Sequence, residues 1–338
     1  MDNRADNGVL EEFRLEFWAC WRQLPNKGFF LTLLAAWFAL FQFCGNSTLG
    51  YVRTSSLFYW MYDAFSGGGK LAESDEAYGL LVPIGVVAIL WVKRRELLAQ
   101  TLKPWWPAMA LVGLGLAMHL LGYLIQQPRL SVIGLFAGLY GLTGLAWGYG
   151  WMKASFFPFF LFVFCVPLGS LTQRVTFPLR LMVTGVVEQF CHYMLAIDVV
   201  RQGTMLIDPS GRYQYDVEAA CSGIRSLAAT VLFAIALGFL SFRTWWKRLV
   251  LFGAAVPLAV LGNFLRLLAI VLAAEMGGQA WGNAVHEGGP GGIYVLLLYV
   301  PGFFGLLGLE YWLHGRPSSD HQAGGLPRPK DEEAVTSA

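Results

Sequence analysis

The sequence is divided into apolar runs of about 20 residues, the length that an α-helix needs to cross the hydrocarbon core of a bilayer. These runs are apolar all round, and they lack the one-sided stripe that helices of soluble proteins show. Of the 338 residues, 56% are hydrophobic and 14% are charged, whereas soluble domains carry about 25% charged residues. The sequence therefore predicts an all-α polytopic membrane protein.

We predict about eight transmembrane helices within one integral-membrane domain, residues 28–313. Residues 1–27 are polar or mixed, so we expect a cytoplasmic segment without a cleavable signal peptide. Residues 314–338 are polar and contain proline and glycine, which predicts a disordered cytoplasmic tail. The predicted spans are 28–45, 78–93, 105–126, 129–150, 154–170, 222–242, 248–275 and 291–313.

Basic residues cluster in alternate connections between the predicted spans. Because short cytoplasmic loops carry an excess of lysine and arginine, these clusters fix the orientation. They place both termini in the cytoplasm and the connections around residues 198–220 and 276–290 outside it. The residues concerned are Lys93, Arg94, Arg95, Lys103, Lys153, Arg243, Lys247, Arg248, His314 and Arg316.

Segment 177–197 is long enough to span, but a crossing there would reverse the orientation that the basic loops predict. We therefore interpret it as an amphipathic helix at the outer surface, or as a re-entrant segment. Its polar residues recur at spacings of three to four, which predicts one wet face. These residues are Arg180, Thr184, Glu188, Gln189 and His192.

A short β-hairpin is predicted next, ahead of the sixth span. Two runs with β-type residues, 203–207 and 212–218, flank the turn sequence Asp-Pro-Ser-Gly at 208–211. The second run leads directly into the segment Glu-Ala-Ala-Cys-Ser-Gly-Ile-Arg-Ser-Leu, residues 218–227. The hairpin would therefore place Glu218, Cys221 and Arg225 at the extracytoplasmic end of that span.

Cys221 is the candidate nucleophile. Ser222 is a good N-cap and Gly223 is a permissive residue, so the sixth helix begins at this point. The unpaired N–H groups and dipole of a helix N-terminus favour a thiolate, and they can also hold an oxyanion. The alternative is a small buried cysteine with a packing role, as we expect for Cys20, Cys44, Cys165 and Cys191.

Arg266 lies within an otherwise apolar helix, where a charge at mid-bilayer costs about 2.5–3.5 kcal/mol even on insertion scales. It follows Arg248 by 18 residues, or about 27 Å of helix, and so reaches the outer boundary of a core about 30 Å thick. Asn263 lies three residues earlier on roughly the same face. The alternative is a structural arginine that snorkels or pairs with Glu275 or Glu218.

Two further side chains complete the candidate site. Arg225 follows Cys221 by four residues, so it either lowers the thiol pKa or neutralises an acid such as Glu218. His286 precedes the last span on the same outer side and has the side chain type best suited to proton transfer near neutral pH. By itself, a histidine in such a loop could simply be hydrated.

The sequence excludes some partners and leaves others open. A net charge of +2 argues against nucleic acid, and the five scattered cysteines form neither a metal-ligand spacing nor a disulfide framework. We therefore expect no metal and no cofactor. The lipid bilayer is the one partner that composition requires, and the oligomeric state is open.

These motifs together resemble the exosortase/archaeosortase family. The resemblance rests on the cysteine motif at 218–227, on Gly-Asn-x-x-Arg at 262–266, and on His286 before a glycine-rich stretch. Residues 77–97 are similar to the family's second-span signature, with Tyr78 where a histidine is usual. The similarity extends over roughly residues 30–313.

The resemblance implies a transmembrane cysteine peptidase and transpeptidase of the inner or plasma membrane. Its substrates would be membrane-anchored exported proteins that end in a short motif such as PEP, an apolar helix and a basic tail. It implies Cys221, Arg266 and His286 as catalytic residues. We expect Glu218, Ser222, Gly223, Arg225 and Asn263 to support them. A membrane thiol acyltransferase and a non-enzymatic transporter or scaffold are the alternatives.

Overall fold

The computed structural model describes residues 3–48, 53–69, 74, 76–168, 170–216, 223–286 and 299–315. In chain order, the α-helices are α1 (Asn3–Gln23), α2 (Lys27–Cys44), α3 (Leu57–Ser66), α4 (Val82–Val92), α5 (Arg94–Leu98), α6 (Met109–Leu124), α7 (Pro128–Trp147), α8 (Tyr149–Phe160), α9 (Ser170–Leu195), α10 (Gly223–Ser241), α11 (Trp245–His286) and α12 (Val300–His314). Short 3₁₀ helices occupy Ala77–Leu80, Trp106–Ala108 and Leu161–Cys165.

Within these ranges, four helices are long and apolar enough to cross a membrane: Lys27–Cys44, Trp106–Leu124, Pro128–Trp147 and Trp245–His286. They correspond to the predicted spans 28–45, 105–126, 129–150 and 248–275. Three shorter apolar helices, Val82–Val92, Tyr149–Cys165 and Ser226–Ser241, lie at three more predicted spans. The helical membrane architecture is thus confirmed, and the number of eight crossings stays a prediction.

The first half of the chain packs around α7. Trp37 of α2 donates a hydrogen bond from its indole nitrogen to the carbonyl of Leu135, 3.0 Å away. Its ring occupies the space that a Cβ at Gly138 would need, since that atom would approach within 2.0 Å. Close approach of this kind drives helix association in lipid, where the hydrophobic effect between helices is absent.

The second half of the chain packs around α11. One cluster joins α9 and the β-sheet to α11 through buried Val187, Tyr213 and Ile270. A second cluster joins α10 and α12 to α11 through buried Ala234, Leu251 and Leu306. Helix α11 is therefore the common packing partner of α9, α10, α12 and the sheet.

Helix α9 corrects the predicted wet face at 177–197 in part, because two of its five polar residues are buried. Arg180 and Thr184 are buried, whereas Phe177, Met182 and Val186 are exposed. The buried face thus combines Arg180 and Thr184 with apolar Val183, Val187 and Cys191, so the polar residues do not share one face in water. The physical reason is that a polar group facing hydrocarbon stays unsatisfied, so it turns towards protein partners. Of the predicted polar set, Glu188 is half-buried, and Gln189 and His192 are exposed.

The predicted hairpin is confirmed, and it forms part of a three-stranded antiparallel sheet. Strands β2 (Met205–Ile207) and β3 (Gln214–Asp216) pair across the Asp-Pro-Ser-Gly turn. Strand β1 (Val200–Gln202) pairs with β2 on its other side and was not predicted. The turn closes with Gly211 at φ +77°, a left-handed conformation that favours glycine. Strand β3 ends at Asp216, five residues before Cys221.

Helix α11 does not run straight, and the predicted connection at 276–290 is helical on both sides of Gly278 as far as His286. The chain remains helical to Gly277, reverses at Gly278 (φ +73°, ψ −171°) and runs on as helix to His286. This backbone conformation is essentially restricted to glycine. We call residues 245–277 the outgoing segment and residues 279–286 the returning segment. Residues 287–290 lie outside the described part of the chain.

Gly278→Ala should disrupt this reversal. A side chain in such a conformation costs about 1–3 kcal/mol, so we expect a lower unfolding midpoint in detergent and loss of the contacts of the returning segment. Gly253→Ala is the matched control, because Gly253 lies in the same helix with nothing within 4 Å of an added Cβ. An unfolding midpoint for Gly278→Ala equal to that of the control would contradict the prediction.

Candidate active site

Arg266 and the end of the returning segment meet inside the protein. Arg266 is only 8% exposed, and its Nη2 atom donates a hydrogen bond to the backbone carbonyl of His286, 3.0 Å away. These residues are 20 positions apart, so a straight helix would separate them by about 30 Å. The reversal at Gly278 therefore brings the two predicted site residues Arg266 and His286 together. The contact between them is made by the backbone carbonyl of His286.

Two buried polar atoms of this helix have no hydrogen-bond partner within the described part of the chain. They are Nε of Arg266 and Oδ1 of Asn263. Leaving a buried donor or acceptor unpaired costs about 1–3 kcal/mol, so native proteins rarely tolerate it without a functional reason. One atom is a donor and the other an acceptor, three residues apart along one helix.

Glu275 is engaged elsewhere, which excludes it as the partner of Arg266. Its Oε1 atom accepts a hydrogen bond of 2.7 Å from Nη2 of Arg212. Its Oε2 atom accepts one of 3.3 Å from the hydroxyl of Tyr213. Glu218, the other acid proposed as a partner of Arg266, lies outside the described residues.

The sheet is fastened to the returning segment through Gln279. The side-chain amide of Gln279 accepts from the backbone N–H of Gln214 at 2.8 Å and donates back to its carbonyl at 3.2 Å. It therefore substitutes for a neighbouring strand along the edge of β3. The hydroxyl of Tyr215 donates to the carbonyl of Gln279 at 3.1 Å.

Tyr215 also depends on a glycine of the returning segment. A Cβ at Gly282 would lie 1.9 Å from the Tyr215 hydroxyl oxygen, so glycine is needed there. The Tyr215 ring lies 6.3 Å, centroid to centroid, from the His286 ring. Strand β3 and the His286 imidazole are thus held side by side, although no sequence motif pointed to Gln279 or Tyr215.

The turn between β2 and β3 carries a network of charged and hydrogen-bonded side chains. Hydrogen bonds from the Ser210 hydroxyl and from Arg212 lower the pKa of Asp208 to about 2. The Arg212 guanidinium lies 2.9 Å from Asp208 and 2.7 Å from Glu275, so it joins the turn to α11. Burial raises the pKa of both Tyr213 and Tyr215, so both remain neutral hydrogen-bond donors.

The remaining predicted site residues are located only in part. Cys221, Ser222 and Glu218 lie outside the described residues. Gly223 and Arg225 lie in α10, and the Arg225 side chain lies outside the description, as does the predicted N-cap Ser222. The His286 side chain is half-buried at the end of the returning segment.

Arg180 is a site candidate that the sequence reasoning placed wrongly. It is 4% exposed, and together with Asn263 and Leu227 it lines a cavity of about 20 Å³ between α9, α10 and α11. That volume has room for about one water molecule. A basic residue within a mostly apolar segment was the available signal, because such residues turn towards polar partners rather than lipid.

No cluster of three or more His, Cys, Asp or Glu side chains suited to a metal ion occurs among the described residues. The described polar groups of the site are instead guanidinium, amide, phenol and imidazole groups. Such a set can orient a substrate, donate hydrogen bonds to a developing oxyanion and transfer a proton.

Asp208→Asn should destabilise the protein in a pH-dependent manner. Because the folded pKa is lowered from 3.8 to about 2, the carboxylate contributes stability above the ordinary pKa, and that contribution is lost as the pH falls through about 2. We expect the variant to unfold at a lower temperature near neutral pH. The difference from wild type should shrink below pH 4 and disappear near pH 2.

The matched control for this measurement is Asp198→Asn. Asp198 is an exposed acid whose ion pair with His192 has both side chains largely in solvent, so its removal should have little effect. A wild-type advantage over Asp208→Asn that persists undiminished at pH 2 would contradict the assignment.

Comparison with known proteins identifies the family. The family model for transmembrane exosortase (Exosortase_EpsH) matches residues 71–304, well over half of the chain. No curated protein and no solved structure matches significantly. The matched region contains Arg266, His286 and the cysteine motif at 218–227. The chain therefore belongs to the transmembrane exosortase family.

Proposed function

We propose that this chain is a membrane-embedded cysteine transpeptidase that removes C-terminal sorting signals from exported proteins. Each substrate would carry a short motif such as PEP, an apolar helix and a basic tail, and would be transferred to an acceptor. Family membership supports a membrane transpeptidase in general. The finer assignment rests on Cys221, Arg266 and His286, with the active site on the extracytoplasmic face and both termini in the cytoplasm.

In the first step, the Cys221 thiolate adds to the carbonyl carbon of the scissile peptide bond. Arg266 and the N-terminus of α10 at Ser222 and Gly223 stabilise the negative charge that develops on the carbonyl oxygen. The C–N bond then breaks, and the His286 imidazolium gives its proton to the departing amine. The products are a thioacyl-enzyme and the released C-terminal peptide.

In the second step, an acceptor amine, hydroxyl or water attacks the thioester. Neutral His286 takes the proton of the acceptor, the C–S bond breaks, and the Cys221 thiolate is regenerated. Glu218 and Arg225 would orient the thiol and adjust its charge. The cycle balances without an oxidant, a metal ion or a cofactor.

The observation that carries this proposal is the pair of buried, unpaired atoms on α11. Nε of Arg266 can donate and Oδ1 of Asn263 can accept, and a peptide group offers the complementary acceptor and donor. A substrate backbone would satisfy both atoms once the helices around Asn263 move apart, because the cavity of about 20 Å³ beside it has room for one water molecule and not for a peptide group. The binding would also set its carbonyl beside the His286 segment, to which Arg266 is already hydrogen-bonded.

Cys221→Ala should abolish cleavage of a co-expressed reporter that ends in such a sorting signal, because no other group forms the thioester. Arg266→Lys should lower cleavage by about 10²–10³-fold, the usual effect of losing one oxyanion donor. Cleavage is measured as precursor and product on an immunoblot. Cys44→Ala is the matched control, since Cys44 is an exposed free cysteine at the end of α2.

Each variant separates a different reading of the site. Continued cleavage by Cys221→Ala would refute the transpeptidase. Full cleavage by Arg266→Lys, with none by Cys221→Ala, would retain the cysteine peptidase and exclude Arg266 as the oxyanion donor. A thiol acyltransferase, which breaks no peptide bond, predicts that even the wild type leaves the reporter uncleaved.

Asn263→Leu should weaken substrate binding because it removes the acceptor for the substrate N–H group. Asn263→Asp keeps an acceptor oxygen at the same position and should retain most of the affinity. We expect the apparent KM for a detergent-solubilised signal peptide to rise about tenfold or more in the leucine variant, equivalent to about 1.4 kcal/mol or more. Equal KM values for both variants would exclude the proposed contact.

A further inference from the structure

A large apolar groove opens beside the first turns of α10, and the proposed chemistry does not use it. Its volume is about 750 Å³, and its walls come from α7, α8, the 3₁₀ helix Leu161–Cys165 and α10. Six phenylalanines contribute to the lining, and Tyr78 and Tyr140 are the lining residues whose side chains carry a polar group. A volume of this size lies within the range of ligand-binding sites.

The groove faces the lipid. Its walls include the candidate span α7 and two of the shorter apolar helices. Phe156 and Phe160 on its rim are 57% and 47% exposed. In water these side chains would form an exposed hydrophobic patch prone to aggregation, whereas in a bilayer lipid hydrocarbon covers them. A molecule can therefore reach the groove sideways from the membrane.

The groove lies next to the buried polar groups of the candidate active site, and α10 lines both. Leu227, Ala228 and Val231 line the groove on that helix, six to ten residues after Cys221 along the chain. Leu227 also lines the small cavity that contains Arg180 and Asn263. One side chain therefore separates the apolar groove from buried polar groups, including the unpaired Oδ1 of Asn263.

The walls suit a polypeptide helix. Ala137 on α7 and Ala228 on α10 both line the groove, and small residues let a helix backbone approach closely. Phe136 and Phe162 stack with their ring centroids 4.2 Å apart, so this part of the wall is preformed. A helix is about 10–12 Å wide and rises about 5.4 Å per turn, so the groove accepts between one and two turns.

We propose that this groove binds the first turns of the substrate's apolar helix, directly below the scissile bond. The inference rests on the proposed function, because it requires a substrate anchored in the membrane on the C-terminal side of the cleavage point. The groove would then align the scissile carbonyl with the mouth of α10 and select for the apolar helix of the sorting signal.

Site-specific photo-crosslinking tests this placement. A benzophenone amino acid replaces Phe160 in the groove, or Leu120 as a matched lipid-facing control on α6, both in a Cys221→Ala background. The probe is a reporter ending in Pro-Glu-Pro, an apolar helix of about 20 residues and a basic tail. We expect crosslinks from position 160, mapped to the first turns of that helix, and none from position 120.

A second variant tests the groove in the active enzyme. Ala228→Phe fills the groove and should reduce processing at least tenfold, whereas Leu114→Phe on exposed α6 should leave processing unchanged. Normal processing by Ala228→Phe, equal crosslinking from both positions, or only lipid adducts at position 160 would overturn the proposal.

These outcomes are distinguishable from failure of the proposed function. If Cys221→Ala still cleaves the reporter, the cysteine mechanism fails regardless of the crosslinks. If Cys221→Ala blocks cleavage and position 160 captures no substrate, the mechanism stands and the groove assignment fails.

Discussion

The hydrogen bond between the Arg266 guanidinium and the His286 carbonyl is the interaction on which the candidate site depends. A charged group buried among apolar helices needs a polar partner, because hydrocarbon supplies none. The chain supplies that partner by reversing at Gly278 and running back along its own helix. The reversal that gives the Arg266 guanidinium its hydrogen-bond acceptor also brings His286 to the level of Arg266. The hydrogen bond that Arg266 needs therefore also positions His286.

The three-stranded sheet stabilises this arrangement from outside the bundle. Arg212 joins the turn at Asp208 to Glu275, and Gln279 pairs with the edge of β3. Both contacts fasten the strand that leads to Cys221 onto the helix that carries Arg266. The cysteine motif therefore follows a strand whose end is fixed in relation to the proposed oxyanion donor. The sheet thus ties the strand that precedes the cysteine motif to the helix that carries Arg266.

The sequence predicted some of these features well and others wrongly, for identifiable reasons. The hairpin was predictable because the Asp-Pro-Ser-Gly turn and its flanking β-type runs are local signals. The reversal of α11 was not predicted, although the Gly277–Gly278 pair marks a turn, because a glycine-rich stretch alone does not show which contacts follow it. Arg180 and Thr184 were placed on a wet face because their periodicity defines a face but not whether water or protein covers it.

By itself, the sequence determined the class of protein and the types of residue available for its chemistry. Apolar runs require a bilayer, and a cysteine motif, an intramembrane arginine and a histidine define a limited set of reactions. Only the tertiary structure decided that Arg266 meets the His286 backbone, that Glu275 is occupied by Arg212, and that a groove lies beside α10. The physical reason is that composition and spacing fix what a segment can bury, whereas the choice of partner depends on which segments the chain brings into contact.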